Sequence, residues 1–212
     1  MQVALSFMRA AMAALVLVST ATNAADAAVT GPAELVDTVM RKTLEELDAH
    51  RAEMRKEPQK IRDLVDQVML PHFDTEYAAR QVLAVHWRSA SPDQRKRFIE
   101  AFYQSLIQNY GEALLDFTPD RMRILPYKED PDAKDRATVR TVVKRDNGSN
   151  VPVNYSLRKL DSGWKAWDVT IEGISYVKSF RTDFASEIDQ KGLEAVIKRL
   201  EAQQSGSAKG MP

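Results

Sequence analysis

The apolar residues of this chain recur with a helical period at both ends and alternate in the middle, and this change of period constrains the fold more than any other feature. From residue 32 to about residue 116, and again after residue 174, they recur every three or four positions, as in amphipathic helices. Between residues 122 and 171 they alternate with polar residues, as in strands with one buried face. The sequence therefore predicts an α+β domain in which a helical layer covers one face of an antiparallel sheet.

The alternating region divides into four short strands separated by turn signals. The stretch "DNGSN" favours a tight hairpin, because Asn147 and Gly148 tolerate the positive φ that such a turn requires. A second turn is indicated by "DSG". We expect a meander of four strands, or slightly more, over residues 122–127, 136–145, 151–157 and 164–171.

The helical regions carry clear start and stop signals. The clearest is "SPDQ", in which Ser91 can cap a helix, Pro92 occupies its first position and Gln94 completes a capping box. The long helix that begins there has an unusually broad apolar face, so we expect it to be central or to line a cavity. The other predicted helices run from Pro32 towards Pro58, from Pro58 to Pro71, from about Asp74 to Trp87, from Ile174 to Gly192 and from Leu193 to Leu200.

The first residues carry the features of a secretory signal peptide. Arg9 precedes the apolar run 10–18, and small residues follow it. We expect residues 1–24 to be cleaved after Ala24, residues 25–202 to form a single domain, and residues 203–212 to be a disordered tail. The chain has no cysteine, so a lipoprotein anchor and disulfides are excluded, and we expect a periplasmic location.

The polar residues give little indication of chemistry. Lysine and arginine together number 30, as do aspartate and glutamate, so no net charge favours nucleic-acid binding. The three histidines (His50, His72 and His86) lack metal-ligand spacing, and no nucleotide-binding or hydrolase motif is present. We therefore expect no metal, no cofactor and no catalytic residue. Asp168, inside a predicted strand, is better explained as a structural hydrogen-bond partner than as a general base.

The main remaining feature is a large set of apolar and aromatic side chains on the sheet and on three helices. They either fill a core or line a cavity for an apolar ligand, and periodicity alone does not distinguish the two. The candidate cavity residues are Phe98, Phe102, Leu106, Tyr110, Val139, Tyr155, Trp167, Val169, Ile171, Ile174, Val177, Phe180 and Phe184.

Several runs of the sequence resemble the MlaC-like family, also called the toluene-tolerance auxiliary family. They are "LPHFD", "ARQVL", "WRSASPDQRKRF" and "WDVTIEGIS", and the resemblance extends over nearly the whole chain after the signal peptide. The chain has Ala84 where the family often has Gly, and Gly111 where it often has Ala. Neither difference affects a charged or catalytic requirement.

The resemblance implies a periplasmic phospholipid carrier of a Gram-negative bacterium. Such a protein, with a fold similar to the nuclear-transport-factor-like cone, holds acyl chains between a sheet and helices and has no enzymatic step. It would shuttle lipid between an outer-membrane lipoprotein complex and an inner-membrane ABC transporter complex, as a monomer, and so maintain outer-membrane lipid asymmetry. The alternatives are a carrier of a hopanoid or another isoprenoid lipid, a lipid hydrolase that uses Asp168 or a histidine, and a scaffolding protein with a filled core.

Overall fold

The structure, a computed structural model, describes residues 31–116, 118–144 and 148–207. The predicted signal peptide and the hairpin residues 145–147 lie outside the described residues. Among those that are described, no helix is both long and apolar enough to cross a bilayer. The α-helices are α1 (Pro32–Met54), α2 (Pro58–Leu64), α3 (Thr75–Leu83), α4 (His86–Ser89), α5 (Pro92–Tyr110), α6 (Tyr176–Lys191) and α7 (Leu193–Ser207), and the strands are β1 (Met122–Ile124), β2 (Arg136–Lys144), β3 (Asn150–Leu160), β4 (Gly163–Ile171) and β5 (Ile174–Ser175).

The strands form one antiparallel sheet in the order β1-β2-β3-β4-β5. The predicted α+β class is confirmed, and the two-residue β5 adds a fifth strand to the four that were predicted. Ser156 pairs with Asp168 and Leu157 pairs with Ala166, so Trp167 is the extra residue of a bulge in β4. Helices α3 and α6 contact β4 beside this bulge.

One face of the sheet, here called the inner face, packs against α1. Leu35 and Val36 of α1 form a cluster with Ala137, Val139 and Leu157 of the sheet. A separate helical cluster is built from α3, α5, α6 and α7. A third cluster joins α1 to α2 and to the 3-10 segment Gly111–Asp116. Strand β4 contacts helices of the first two clusters.

The capping box predicted at the start of α5 is confirmed. The Gln94 backbone N–H donates to Ser91 Oγ, and the Ser91 N–H donates to Gln94 Oε1, each over 3.1 Å. These bonds satisfy two of the donors that a helix leaves free at its N-terminus. Helix α5, the longest helix of the helical cluster, therefore begins where the local sequence predicts.

Three predicted helix boundaries are wrong. The helix expected from Asp74 to Trp87 is broken at Ala84, where φ is +48° and ψ is −111°. Helix α6 begins at Tyr176 and not at Ile174, because Ile174 of β5 pairs with Ile171 of β4. Helix α7 continues to Ser207, so the expected boundary of the tail at residue 203 lies inside a helix.

The region between residues 58 and 72 is helical as predicted but changes its helix type. After α2, residues Val65–Met69 form a π-helical turn and Leu70–His72 a 3-10 turn. The Tyr103 hydroxyl of α5 donates to Asp66 of the π-helical turn over 2.9 Å. This contact fixes the irregular segment against the long helix.

Asp168 holds β4 to the beginning of α6. It is 4% exposed, and its carboxylate accepts hydrogen bonds from Ser175 Oγ at 2.6 Å and from the Val177 backbone N–H at 3.0 Å. The Ser175 hydroxyl in turn caps α6 by accepting from the Lys178 N–H. The expectation that Asp168 is a structural hydrogen-bond partner is confirmed.

Replacing Ala84 with glycine is expected to stabilise the protein. Its backbone angles are ones that residues with a Cβ adopt only under strain, and relief of that strain outweighs the extra entropy of glycine in the unfolded chain. We expect the free energy of unfolding, measured by urea denaturation, to rise by about 1 kcal/mol. Ala49→Gly, at an exposed position inside α1, is the control and should lower it by about 1 kcal/mol. An Ala84→Gly variant as destabilised as the control would contradict the strained conformation.

Removing the Asp168 carboxylate is expected to destabilise the junction of β4 and α6. Asp168→Ala leaves a buried backbone N–H and a hydroxyl without their acceptor, so the free energy of unfolding should fall by about 1–3 kcal/mol. Ser175→Ala removes one of the two bonds to this carboxylate and also the cap of α6, so we expect it to lower the free energy of unfolding by about 0.5–2 kcal/mol. Urea denaturation of both variants tests this, and an Asp168→Ala protein as stable as the parent would refute the role.

Candidate functional site

The candidate cavity residues are called the predicted wall residues from here on. Those on the helices are closely packed. Phe102 meets Phe180 at a ring-centroid distance of 5.1 Å and Phe184 at 5.4 Å, and Phe98 lies 5.5 Å from both Phe102 and Phe184. The Phe98 and Phe102 rings are stacked and the other three pairs are edge-to-face, and ring contacts of both kinds add to the stability that burial provides. Of the predicted wall residues, the helical cluster contains Phe98, Phe102, Val177 and Phe184, with Leu106, Trp167 and Phe180 partly buried against it.

The strand side of the predicted wall is less completely covered. Val139 is fully buried against the α1 cluster, and Tyr155 is partly buried against it. Val169 and Ile171 are half-buried on the same inner face. Register places these residues together, because Tyr155 pairs with Val139 on one side and with Val169 on the other.

Burial along the inner face decreases at the middle of the sheet. On β3, Val153 and Leu157 are buried at 6% and 1% exposure, whereas Tyr155 between them is only half-buried. The residues of β4 are all half-buried except the polar Asp168. A central strand normally buries its apolar face most completely. The inner face around Tyr155 and Val169 therefore keeps apolar surface that the rest of the described chain does not cover completely.

Two predicted wall residues lie at the surface. Tyr110 at the end of α5 is 48% exposed, and Ile174 in β5 is 62% exposed. The Tyr110 ring lies edge-on to Tyr176, the first residue of α6, with centroids 5.9 Å apart. Tyr110, Tyr176 and Ile174 thus form an apolar rim, defined here by these three residues, near the ends of α5 and β4.

Sequence reasoning missed Tyr176 and Val153 as members of this region. Val153 was identifiable, because it continues the alternation through Tyr155 on β3. Tyr176 was not, because the helical period suggested that α6 began at Ile174. Only the strand pairing of Ile174 shows that Tyr176 opens the helix.

Charged side chains near α5 are mostly engaged in structural contacts. Arg97 donates to Glu194 and to both carboxylate oxygens of Glu201, over 2.8–2.9 Å, and so joins α5 to α7. These hydrogen bonds raise the pKa of Arg97 and lower those of the two glutamates. Arg95 donates to the Trp87 carbonyl and lies over the Trp87 ring. These two arginines therefore stabilise the packing of the helices.

Two open clefts lie elsewhere on the described surface. One, of about 310 Å³, lies between α1 and β1 and is lined by Met40, Leu44, Met122 and Ile124 together with charged side chains. The other, of about 320 Å³, lies beside β2 and β3, and Trp167 is the predicted wall residue that it includes. Both volumes are at the lower end of the range for sites that enclose a drug-sized molecule, about 300–1,000 Å³. Neither cleft has room for a pair of long acyl chains.

The described residues contain no group of three or more histidine, aspartate or glutamate side chains arranged to hold a metal ion. Burial lowers the pKa of His72, and nearby Lys42 and Lys165 lower it further. His86 lies 3.5 Å from Asp189, and His50 lies near Glu46 and Glu53. The three histidines are thus in separate places.

Two known proteins have sequences similar to that of this chain. The chain is 32% identical to the toluene tolerance protein Ttg2D of Pseudomonas putida, over 76% of this chain and 74% of that protein. It is 25% identical to the intermembrane phospholipid transport system binding protein MlaC of Haemophilus influenzae, over 84% of this chain and 83% of that protein.

A solved structure matches the fold closely. It is a phospholipid-binding protein from Ralstonia solanacearum in complex with a phospholipid, and the TM-score is 0.76 at 25% identity. The match covers 84% of this chain and 98% of that one.

The family model of the MlaC protein matches residues 37–202. This range holds the sheet, most of α1 and the helical cluster, and it includes all 13 predicted wall residues. The hydrolase alternative is thereby overturned, because proteins of this family are binding proteins without enzymatic activity, and Asp168 is committed to α6. The chain belongs to the MlaC family.

Proposed function

We propose that this protein is a periplasmic carrier that binds glycerophospholipid by its acyl chains. It shuttles the lipid as a monomer between an outer-membrane lipoprotein complex and an inner-membrane ABC transporter complex, and so maintains outer-membrane lipid asymmetry. Residues 25–202 form the lipid-binding domain after the signal peptide is removed. The main support is the solved relative, which has the same fold and a bound phospholipid.

The proposed site lies between the inner face of the sheet and the helices. The accessible surface that Tyr155 and Val169 retain at the middle of the sheet supports this position. Val169 and Ile171 form the strand wall, and Leu106 and Phe180 the helical wall. Tyr110 and Ile174, in the apolar rim, mark the entrance.

The energetics require that such a carrier encloses its ligand. Two acyl chains with some thirty methylenes would cost on the order of 20 kcal/mol to expose to water, at about 0.8 kcal/mol for each CH₂. The two surface clefts are too small and too charged to shield them. The hydrated headgroup can stay at the entrance, so we expect the carrier to select for chains more strongly than for headgroups.

The lipid that copurifies with the protein tests the proposed ligand. After export to the periplasm and gentle purification, native mass spectrometry should show a complex whose mass exceeds that of the chain by a glycerophospholipid. Organic extraction should then release diacyl lipids with several headgroups. Recovery of polycyclic isoprenoid lipid alone would instead identify a hopanoid carrier, and a ligand-free protein that takes up no lipid from vesicles would favour a filled core.

A charge on the strand wall tests the proposed position. Val169→Glu would place an unpaired carboxylate against the acyl chains, and we expect the amount of copurifying phospholipid to fall more than about tenfold. Val169 is more informative than Phe180, because a charge at Phe180 would disrupt the ring packing of the helical cluster.

The matched control is Thr138→Glu, which introduces the same charge at an exposed position on the opposite face of the sheet. It should leave lipid binding unchanged. Thermal melting of both variants separates loss of lipid from loss of fold. A folded Val169→Glu protein with its full complement of lipid would show that the chains lie elsewhere.

A further inference from the structure

Tyr155 is a polar residue at the centre of the inner face. It lies midway along β3, about 16 Å from either end of the strand at about 3.3 Å per residue. Its cross-strand neighbours are Val139 and Val169, and its neighbours along the same face are Val153 and Leu157. All four are apolar, so the Tyr155 side chain rises from an apolar part of the inner face.

The surroundings of the hydroxyl are those of an interior surface and not of bulk water. Burial alone raises the pKa of Tyr155 to about 12, so the phenol stays protonated at any physiological pH. The residue nevertheless keeps part of its surface accessible. Both observations hold together if the side chain borders a hollow inside the molecule.

The hydroxyl has no hydrogen-bond partner among the described residues. By contrast, the nearby Thr141 hydroxyl donates to the Val153 carbonyl over 2.8 Å. No fully buried side-chain polar atom of the described chain lacks a partner, so the Tyr155 hydroxyl must itself remain accessible. It is therefore free to donate to a molecule that enters the hollow.

We infer that the Tyr155 hydroxyl donates a hydrogen bond to an ester carbonyl oxygen of the bound glycerophospholipid, an inference that rests on the proposed function. An ester carbonyl accepts a hydrogen bond without carrying a charge, so it can enter an apolar interior at far lower cost than a phosphate. A protonated phenol supplies the matching donor.

This contact makes Tyr155 a determinant of lipid class. A diether phospholipid has the same headgroup and chain length as its diester counterpart but lacks both carbonyl oxygens. A single neutral hydrogen bond contributes about 0.5–1.5 kcal/mol, so the protein should prefer the diester form by about threefold to tenfold.

The test is a competition between two defined lipids. Vesicles containing equal amounts of dioleoyl phosphatidylethanolamine and its dioleyl diether analogue are incubated with delipidated protein, and the bound ratio is measured by mass spectrometry. We expect a diester-to-diether ratio of about three to ten for the parent and close to one for Tyr155→Phe. Tyr127→Phe, which removes a phenol oxygen from a residue that lines the cleft beside β2 and β3, should keep the parent ratio.

Each outcome bears on one claim. A parent ratio near one, or a Tyr155→Phe ratio equal to that of the parent, would overturn the role of Tyr155 while lipid binding itself stands. Uptake of neither lipid by any of the three proteins would overturn the proposed function instead. The parent ratio requires no variant, so the inference remains testable even if Tyr155→Phe fails to fold.

Discussion

Incomplete coverage of the inner face of the sheet is the constraint on which the rest of the structure depends. Helix α1 covers Ala137, Val139 and Leu157, and the helical cluster packs beside β4, but neither covers Tyr155 and Val169 fully. Exposed apolar surface at the centre of a sheet is unfavourable unless a ligand covers it. Bound hydrocarbon would complete a core that the chain alone leaves open.

The helical cluster is held together by contacts that do not involve Tyr155 or Val169. The phenylalanines of α5 and α6 pack on one another instead of reaching across to the sheet. Arg97 joins α5 to α7, and Asp168 fixes α6 to β4, so the helical cluster is held at its edges.

Local signals in the sequence predicted most of the fold. The capping box at Ser91 and the alternation through β2 and β3 each depend on neighbouring residues, so they were readable without the structure. The break at Ala84 was not readable, because alanine gives no local sign of a positive φ. The burial of each wall residue could not be predicted either. Periodicity identifies the face on which Phe98 or Tyr155 lies, but it does not identify the residues that pack against that face. Gly111 shows the same limit: a Cβ there would lie 3.2 Å from Ile61 Cγ2, a contact between segments distant in sequence.

Contacts between acyl-chain protons and protein methyl groups measure the central claim most directly. With a phospholipid uniformly ¹³C-labelled in its chains, an isotope-filtered nuclear Overhauser experiment should show contacts to Val153, Val169 and Ile171 on the inner face. The methyl groups of Met40 and Leu44, in the cleft between α1 and β1, should show none. Contacts to that cleft alone, with none to residues of β3 or β4, would contradict an interior lipid site.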